Sequence, residues 1–555
     1  MDSTQKSPFK KVLTVMFYVL LGLLFIAMGV SYFGLKPLLT KRIQTAVLNS
    51  TDNLYHLDFK NIKYDIMSGN AYVLDVTMVA DTTLYDSLKK AKKMPDNIYQ
   101  GKVKEINLSG LKLWTIFTSE KLDLNSINIT NPNIEITHEK QAYNSFKTAK
   151  SPYQIISKFV KSFSVSKVTF NNINFTYKKS TNPLNAYPSR LENLDLEVSN
   201  LLISAESEKD SSRFYYTKEC IFRLQKLTFP TRDSLNTLEV NAIHFSTKTR
   251  SLSVDNIILQ PRYKPMIYGN HTHGDDRIGL FCKNLKFENI EMKKLFEDKK
   301  IYADVLNINR GNVTVFTDTR DFHTPKKANY RPFPHQSFKD LPAKFFIKEM
   351  KLKNFNITYS EYNPETDLVG NVKFNHVNGT FSNLTNDTIP LADNPHCIVF
   401  LKAKLMNKAD MYLKFNFNVA EPKGDFTCSG KVYNMRMDCV NHVVKSLAMA
   451  KADDGFVNEF SFKIKGDKYR LIGSSILVYK DLKVSFFKNK DDNDKTLKKR
   501  GFLSFIANTF VIKDSNPSGK KPLRVAQINY RRLPEKAFFY TMWKGLVQGL
   551  KESVI

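Results

Sequence analysis

The sequence predicts a mostly β protein: an N-terminal transmembrane helix, then an elongated tandem-repeat β-sheet groove of antiparallel strands, with a few short helices near the C-terminus. Three observations predict it. One long uncharged apolar run stands near the N-terminus. From about Leu57 to Phe487, apolar residues alternate with polar ones at a period of two, the signature of strands with one apolar face. That alternating region also repeats itself at an offset near 180 residues.

The apolar run is Val12–Leu35, 24 residues without a charge. At about 1.5 Å per residue it spans a hydrocarbon core of about 30 Å with some tilt. It is longer than the apolar core of a signal peptide, and no small-residue cleavage site follows it. The expectation is an uncleaved single-pass anchor. Lys6, Lys10 and Lys11 precede it, and Lys36, Lys41 and Arg42 follow, so flanking charge does not settle orientation. A short internal tail (1–11) with the bulk of the chain exported is the expected arrangement. Residues 36–56 carry a juxtamembrane amphipathic helix, with Leu38, Leu39, Ile43, Ala46 and Val47 on one face.

Strands then announce themselves as short alternations: Leu122-Asp-Leu124, Ile127-Asn-Ile129, Ile134-Glu-Ile136. Asn131-Pro132 and Arg310-Gly311 are expected to separate such strands as turns. The duplication is clearest where Lys104–Thr137 aligns with Lys283–Phe316 without a gap. Of 13 apolar positions in the first copy, 12 are apolar in the second, and Trp114 alone fails, facing Lys293. The match continues collinearly. Asn172-Ile-Asn-Phe-Thr-Tyr177 falls on Asn354-Phe-Asn-Ile-Thr-Tyr359, and Val198–Leu201 falls on Phe381–Leu384. Two β units are therefore expected, 57–237 and 238–396, of the kind that continue one another's sheet.

A different region follows. Residues 397–487 hold strands at Cys397–Val419, Asp425–Val432, Phe456–Lys465 and Tyr469–Phe487, with a helix at about 438–451. Residues 488–555 hold a mixed-charge loop, an apolar stretch and an amphipathic segment at Pro534–Leu550. In that segment Phe538, Phe539 and Trp543, with Lys536 and Lys544 beside them, are candidates for contact with a membrane surface. The alternative is a helix that caps the β stack and covers its open edge.

Chemistry is sparse. Lys and Arg exceed Asp and Glu by 83 to 54, which gives +29 and suits an anionic partner or a merely solvated surface. There is no Walker A loop, no GxGxxG after a strand, no HExxH and no GxSxG. Neither RNP-type aromatics nor a GXXG clamp is present, so nucleic acid is not the expected partner. His271-Thr-His273-Gly-Asp275-Asp276 is the one metal-like cluster, and its flanks read first as a loop tip, so no metal is assigned. The cysteines are Cys220, Cys282, Cys397, Cys428 and Cys439, without a CxxC. Whether Cys428 and Cys439 pair stays open. The N-x-S/T triplets at Asn128, Asn174, Asn312 and Asn356 come from the strand pattern and receive no role. No cofactor is expected and no catalytic residue is assigned.

Several segments carry a resemblance. FKNIKYDIMSGNAYVLDVTM (Phe59–Met78), VKEINLSGLKLWTIF (Val103–Phe117) and LDLNSINITNPNIEI (Leu122–Ile136) resemble, in order, the start of AsmA-like proteins of double-membraned bacteria. DDGFVNEFSFKIKGDKYRLIGSSILVYKDLKVSFF (Asp453–Phe487) is similar to that family's closing repeat. The resemblance implies an inner-membrane anchor, a periplasmic repeating β-groove, and a part in outer-membrane assembly and phospholipid movement, with membrane phospholipid and other envelope proteins as partners. Family members relate distantly to bridge-like lipid transfer proteins. No catalytic residues come with it. The lipid-groove candidates are the matched apolar positions: Ile106, Leu108, Leu111, Leu113, Leu122, Leu124, Ile127 and Ile129, with Leu285, Phe287, Leu306 and Ile308 in the second copy. An open groove would shield acyl chains, each exposed CH₂ of which opposes transfer into water by about 0.8 kcal/mol. The other reading is a closed β core in a non-catalytic scaffold, or a regulator of protein targeting to and assembly in the membrane.

Overall fold

The computed structural model describes residues 44–45, 47–48, 51 and 53–555, except 66, 112–118, 144–150, 158–159, 180–187, 208, 211, 215, 232, 321, 323–329, 489–497 and 500–511. The expected anchor at 12–35, most of the juxtamembrane helix, the 501–511 part of the apolar stretch, and Leu113 lie outside the described residues. Among the described residues, no helix is long and apolar enough to cross a membrane. The chain is mostly β and divides into two compact units: Met1–Ser234 with Leu238–Asp255, and Leu235–Thr237 with Asn256–Ile555.

In the first unit, β1 (Tyr55–Asp58) and β2 (Asn61–Asp65) both pair antiparallel with β3 (Asn70–Ala80), which pairs with β4 (Asn97–Ser109). β5 (Lys121–Thr130) and β6 (Asn133–His138) follow one line. Both pair antiparallel with β4 on one side and parallel with β7 (Ser162–Lys179) on the other. β8 (Ser189–Ile203) and β9 (Glu219–Pro230) continue antiparallel, with β10 (Asn236–Ser246) beside β9 and β11 (Ser251–Pro261) next in the chain.

The second unit repeats this order. β12 (Arg277–Glu288) pairs antiparallel with β13 (Lys300–Asp318), which pairs parallel with β14 (Lys344–Asn363). An antiparallel run follows: β15 (Leu368–Thr385), β16 (His396–Leu405), β17 (Ala409–Asn418), β18 (Phe426–Arg436), β19 (Ala450–Gly466) and β20 (Arg470–Lys488). β21 (Lys498–Lys499) pairs with the end of β20, and β22 (Ala526–Arg531) pairs with its start.

Three expectations are corrected here. The sheets are mixed, not purely antiparallel, because one parallel step occurs in each copy. A parallel step obliges the chain to cross back. Residues 139–161 do so in the first unit and 319–343 in the second, carrying the short helices Pro152–Ile156 and Pro334–Lys339. Helices therefore occur along the whole chain and not only near its end. Asn131-Pro132 and Arg310-Gly311 are also not turns. The first is a break within one strand line, and the second lies inside the continuous β13. Pro132 lacks an N–H, yet its carbonyl accepts from Asn174 at 2.8 Å and the Asn131 N–H donates to Asn171 at 2.9 Å, so the line holds across the gap. At Gly311 a Cβ would stand 2.0 Å from the Phe355 ring of β14, so the ring takes the space that a side chain would fill.

The duplication extends to the hydrogen-bond register. Ile106 faces Ile129 and Leu108 faces Ile127 across β4–β5; the aligned Leu285 faces Ile308 and Phe287 faces Leu306 across β12–β13. Ile127 lies beside Val168 and Ile136 beside Tyr177; the aligned Leu306 lies beside Met350 and Val315 beside Tyr359. Both copies break register at the same place, between Phe170 and Phe175 and between Leu352 and Ile357. The bulge is built alike in both. Asn172 and Asn354 are left-handed (φ 56° and 52°), as are Asn193 and His376 opposite them (53° and 51°). The Asn172 N–H donates to the Asp195 carboxylate and the Asn193 N–H to the Asn174 side-chain oxygen. In the second copy the Asn354 N–H donates to the Asn378 side-chain oxygen, and the His376 N–H to that of Asn356. Asn tolerates the left-handed region, and an extra residue needs a local acceptor for its freed N–H. Asn174 and Asn356, without a role in the sequence reading, brace these bulges.

Candidate functional site

The groove candidates of the first copy form a packed core. Ile106, Leu108, Leu111, Leu122, Leu124, Ile127 and Ile129 are all 1–3% exposed. They pack with Val73 and Val76 of β3, Phe163 and Val165 of β7, and Ile156 and Val160 of the crossover, while Tyr216 joins from the loop before β9. Single sheets leave one face wet; here Ile156 and Val160 of the crossover and Tyr216 of the loop pack against it.

The second copy is looser. Leu285 and Leu306 are 6% exposed, Ile308 is 9%, and Phe287 is half-buried. More informative is what the register does beyond them. Directly paired residues share a face. Leu285 pairs with Ile308, which pairs with Leu352, and the row continues through Gly379, Leu401, Leu413, Gly430 and Phe462. One apolar row therefore crosses β12–β19 without a polar side chain. Along it Leu352, Leu401 and Leu413 are only half-buried, although they lie mid-strand in the middle of the sheet. A parallel row (Met350, Phe381, Val399, Phe415, Cys428, Ile464) runs beside it on the same face.

Three devices bound this face. The helix Thr388–Asp393 lays Leu391 against Cys397, Val399 and Val419. Its cap, Asp387, is buried. Burial pushes that carboxyl up, but Lys300 Nζ at 2.7 Å, the Ile389 N–H and the Tyr302 hydroxyl outweigh it and hold it below the usual carboxylate range. At the strand ends carrying Phe417 and Phe426, the crossover contributes Phe333 and His335 to an aromatic cluster, with ring centroids 4.9–6.3 Å apart. His335 is 7% exposed, and burial lowers its imidazole to about 4, so it is neutral at physiological pH.

The third device is the helix Phe538–Val554, which packs on β20 and β22. Gly545 and Gly549 allow the approach: Cβ atoms there would stand 2.8 Å from Leu471 and 2.5 Å from the Ser475 hydroxyl. Of the membrane-surface candidates, Phe538 joins the aromatic cluster, 5.3 Å from both Phe333 and Phe426. Phe539 stacks on Tyr359 of β14 at 6.2 Å and is 39% exposed. Lys544 lies 3.8 Å from the buried Glu361, and it and Lys536 both sit over the Tyr540 ring. Trp543 is half-buried. The helix also serves β22, the last strand. The Asn529 N–H donates to the Gln548 side chain at 3.2 Å and the Gln527 N–H to the Glu552 carboxylate at 3.0 Å. These backbone donors point outward from the edge, and two side chains one helical turn apart satisfy them.

The other sequence candidates separate. His273 is the left-handed cap of the helix Pro265–Thr272, Asp275 is salt-bridged to Arg331, and Asp276 accepts from the Thr317 hydroxyl at 2.8 Å. Burial pushes the Asp276 carboxyl up. Among the described residues no three His, Cys, Asp or Glu side chains converge as a metal site would require. All five cysteines are free. Cys428 is buried in β18 and Cys439 lies in the turn Met437–Val440, and burial raises both thiols.

Sequence reasoning placed the groove in the matched repeats and missed Leu352, Leu401 and Leu413. Their strands do alternate visibly, as in Lys351-Leu-Lys353 and Leu401-Lys-Ala403-Lys-Leu405. What was missing was the cross-strand register that joins them. Neither the protein-family models nor the curated proteins include a match to this chain.

Proposed function

We propose that the chain is a membrane-anchored envelope protein of the AsmA-like type, which holds or moves phospholipid along its apolar β face in outer-membrane biogenesis or maintenance. In this reading Val12–Leu35 anchors it once in the inner membrane, the β units stand in the periplasm, and no step is catalytic. One observation carries the reading: the apolar row from Leu285 to Phe462, with its half-buried leucines at 352, 401 and 413. Such a row offers acyl chains a continuous apolar contact, so that methylenes exchange one apolar surface for another instead of entering water.

The test is native mass spectrometry of the full chain purified in mild detergent, with lipid extraction of the same sample. Bound phospholipid is expected, and Leu401→Asp with Leu413→Asp should remove it while the chain stays folded. A clean mass without lipid would refute the proposal. A second reading, a scaffold with a closed β core, is favoured by the 1–3% exposure of the first-unit candidates. On that reading the Asp variants would unfold the second unit and no lipid would be found in the parent chain.

A further inference from the structure

The second unit carries a hollow of about 1060 Å³ that crosses β14–β20. On each of these seven strands its lining is three consecutive residues centred on the leucine row, such as Phe400-Leu401-Lys402 on β16 and Tyr412-Leu413-Lys414 on β17. Side chains alternate along a strand, so the outer two of each triplet point away from the leucine face and the middle residue supplies backbone. Residues two positions away, which would flank a hollow on the leucine face, are not part of the lining. The hollow is therefore a furrow on the opposite, polar face, between two transverse rows of side chains. At about 4.8 Å between strands it is about 29 Å long.

The two rows contain six lysines and no carboxylate. Lys351 and Lys431 are paired with Glu349 and Glu459 outside the furrow. Lys402 and Lys414 instead lie over the rings of Tyr412 and Phe400, at 5.4 and 5.1 Å, and these two residues are 42% and 48% exposed. The rest of the two rows is Thr380, Ser429, Ser461 and Ser474, with Asn378 and Ile476.

We propose that this furrow binds a single linear acidic polysaccharide chain. The excess of lysine calls for a polyanion, the hydroxyls match sugar hydroxyls, and the two rings offer flat faces to sugar C–H surfaces once an anion draws the lysines aside. A bilayer surface is flat and does not enter a furrow. Single-stranded nucleic acid stacks successive bases on a series of aromatics, whereas this furrow has two rings across seven strands. The site lies on the face opposite the lipid row and is independent of it.

The test uses the full chain in mild detergent and a fluorescein-labelled heparin decasaccharide read by anisotropy. Binding is expected, weakening as salt rises. Lys402→Ala with Lys414→Ala and Lys463→Ala should weaken it at least about tenfold. Phe400→Ala with Tyr412→Ala should weaken it about fivefold at an unchanged salt slope. Control replacements of the exposed Lys90, Lys140 and Lys248 should leave it unchanged. The proposal is overturned if the control variant weakens binding as much as the furrow variant, or if the ring variant has no effect. It is also overturned if an oligodeoxythymidylate of equal charge or phosphatidylglycerol vesicles displace the probe more strongly than unlabelled decasaccharide does.

Discussion

Truncating one apolar residue in each unit separates a packed core from an accessible face. Ile127 is 1% exposed within a buried apolar cluster, so Ile127→Ala removes every side-chain carbon beyond Cβ and leaves a cavity. Such changes cost about 2–5 kcal/mol. Leu413 pairs with Leu401 and Gly430 and is only half-buried, so Leu413→Ala loses part of a transfer free energy of about 1.5–3 kcal/mol and encloses no void. About 1 kcal/mol is expected for it. The two costs therefore differ by about 1–4 kcal/mol, and about 2 kcal/mol within that range is roughly thirtyfold in an opening equilibrium. Because the chain has two units, one global midpoint would blur the comparison. Hydrogen exchange followed by mass spectrometry reads each unit by its own peptides. Ile127→Ala should speed exchange across β4, β5 and β7 by about thirtyfold more than Leu413→Ala speeds it across β16–β18. Equal effects, or a larger one at Leu413, would refute the distinction and with it the accessible row.

The edge of β22 gives another test. Gln548→Ala with Glu552→Ala frees the outward N–H groups of Asn529 and Gln527, so the chain should self-associate through that edge, visible as a mass above monomer by light scattering in detergent. An unchanged mass would mean that the helix backbone alone blocks the edge. His335 predicts a pH dependence. Its folded pKa, about 4, lies below the ordinary 6.5, so its contribution is complete above pH 6.5 and is lost as pH falls toward 4. The loss amounts to about 3 kcal/mol. Denaturant titrations between pH 7 and 4 should show it, and His335→Phe should flatten that interval; a curve of the same shape in the variant would count against a buried neutral imidazole.

Much of this architecture is legible in the sequence because period-two alternation is local. The strands from Leu57 to Phe487, the helix near 441–448 and the terminal helix at 538–554 follow from it and from helical spacing. So does the duplication, whose aligned pairs Ile106/Leu285 and Ile127/Leu306 occupy the same register positions in both copies. Even the bulges were written there, in the aligned Asn172-Ile-Asn and Asn354-Phe-Asn, though as asparagines without an evident task. Alternation names two faces but does not say which neighbour a strand takes, nor in which direction. The parallel steps β5–β7 and β13–β14 depend on crossovers whose sequences carry no period. Burial was undecidable for the same reason. Ile127 and Leu352 look alike in sequence, each apolar between polar neighbours, and differ only in what folds over them. The terminal helix shows the limit most plainly: its apolar spacing fits a membrane and a sheet equally well. Only the tertiary structure sets Gly545 and Gly549 against β20 and β22, because that contact depends on residues distant in the chain that meet when the sheet has formed.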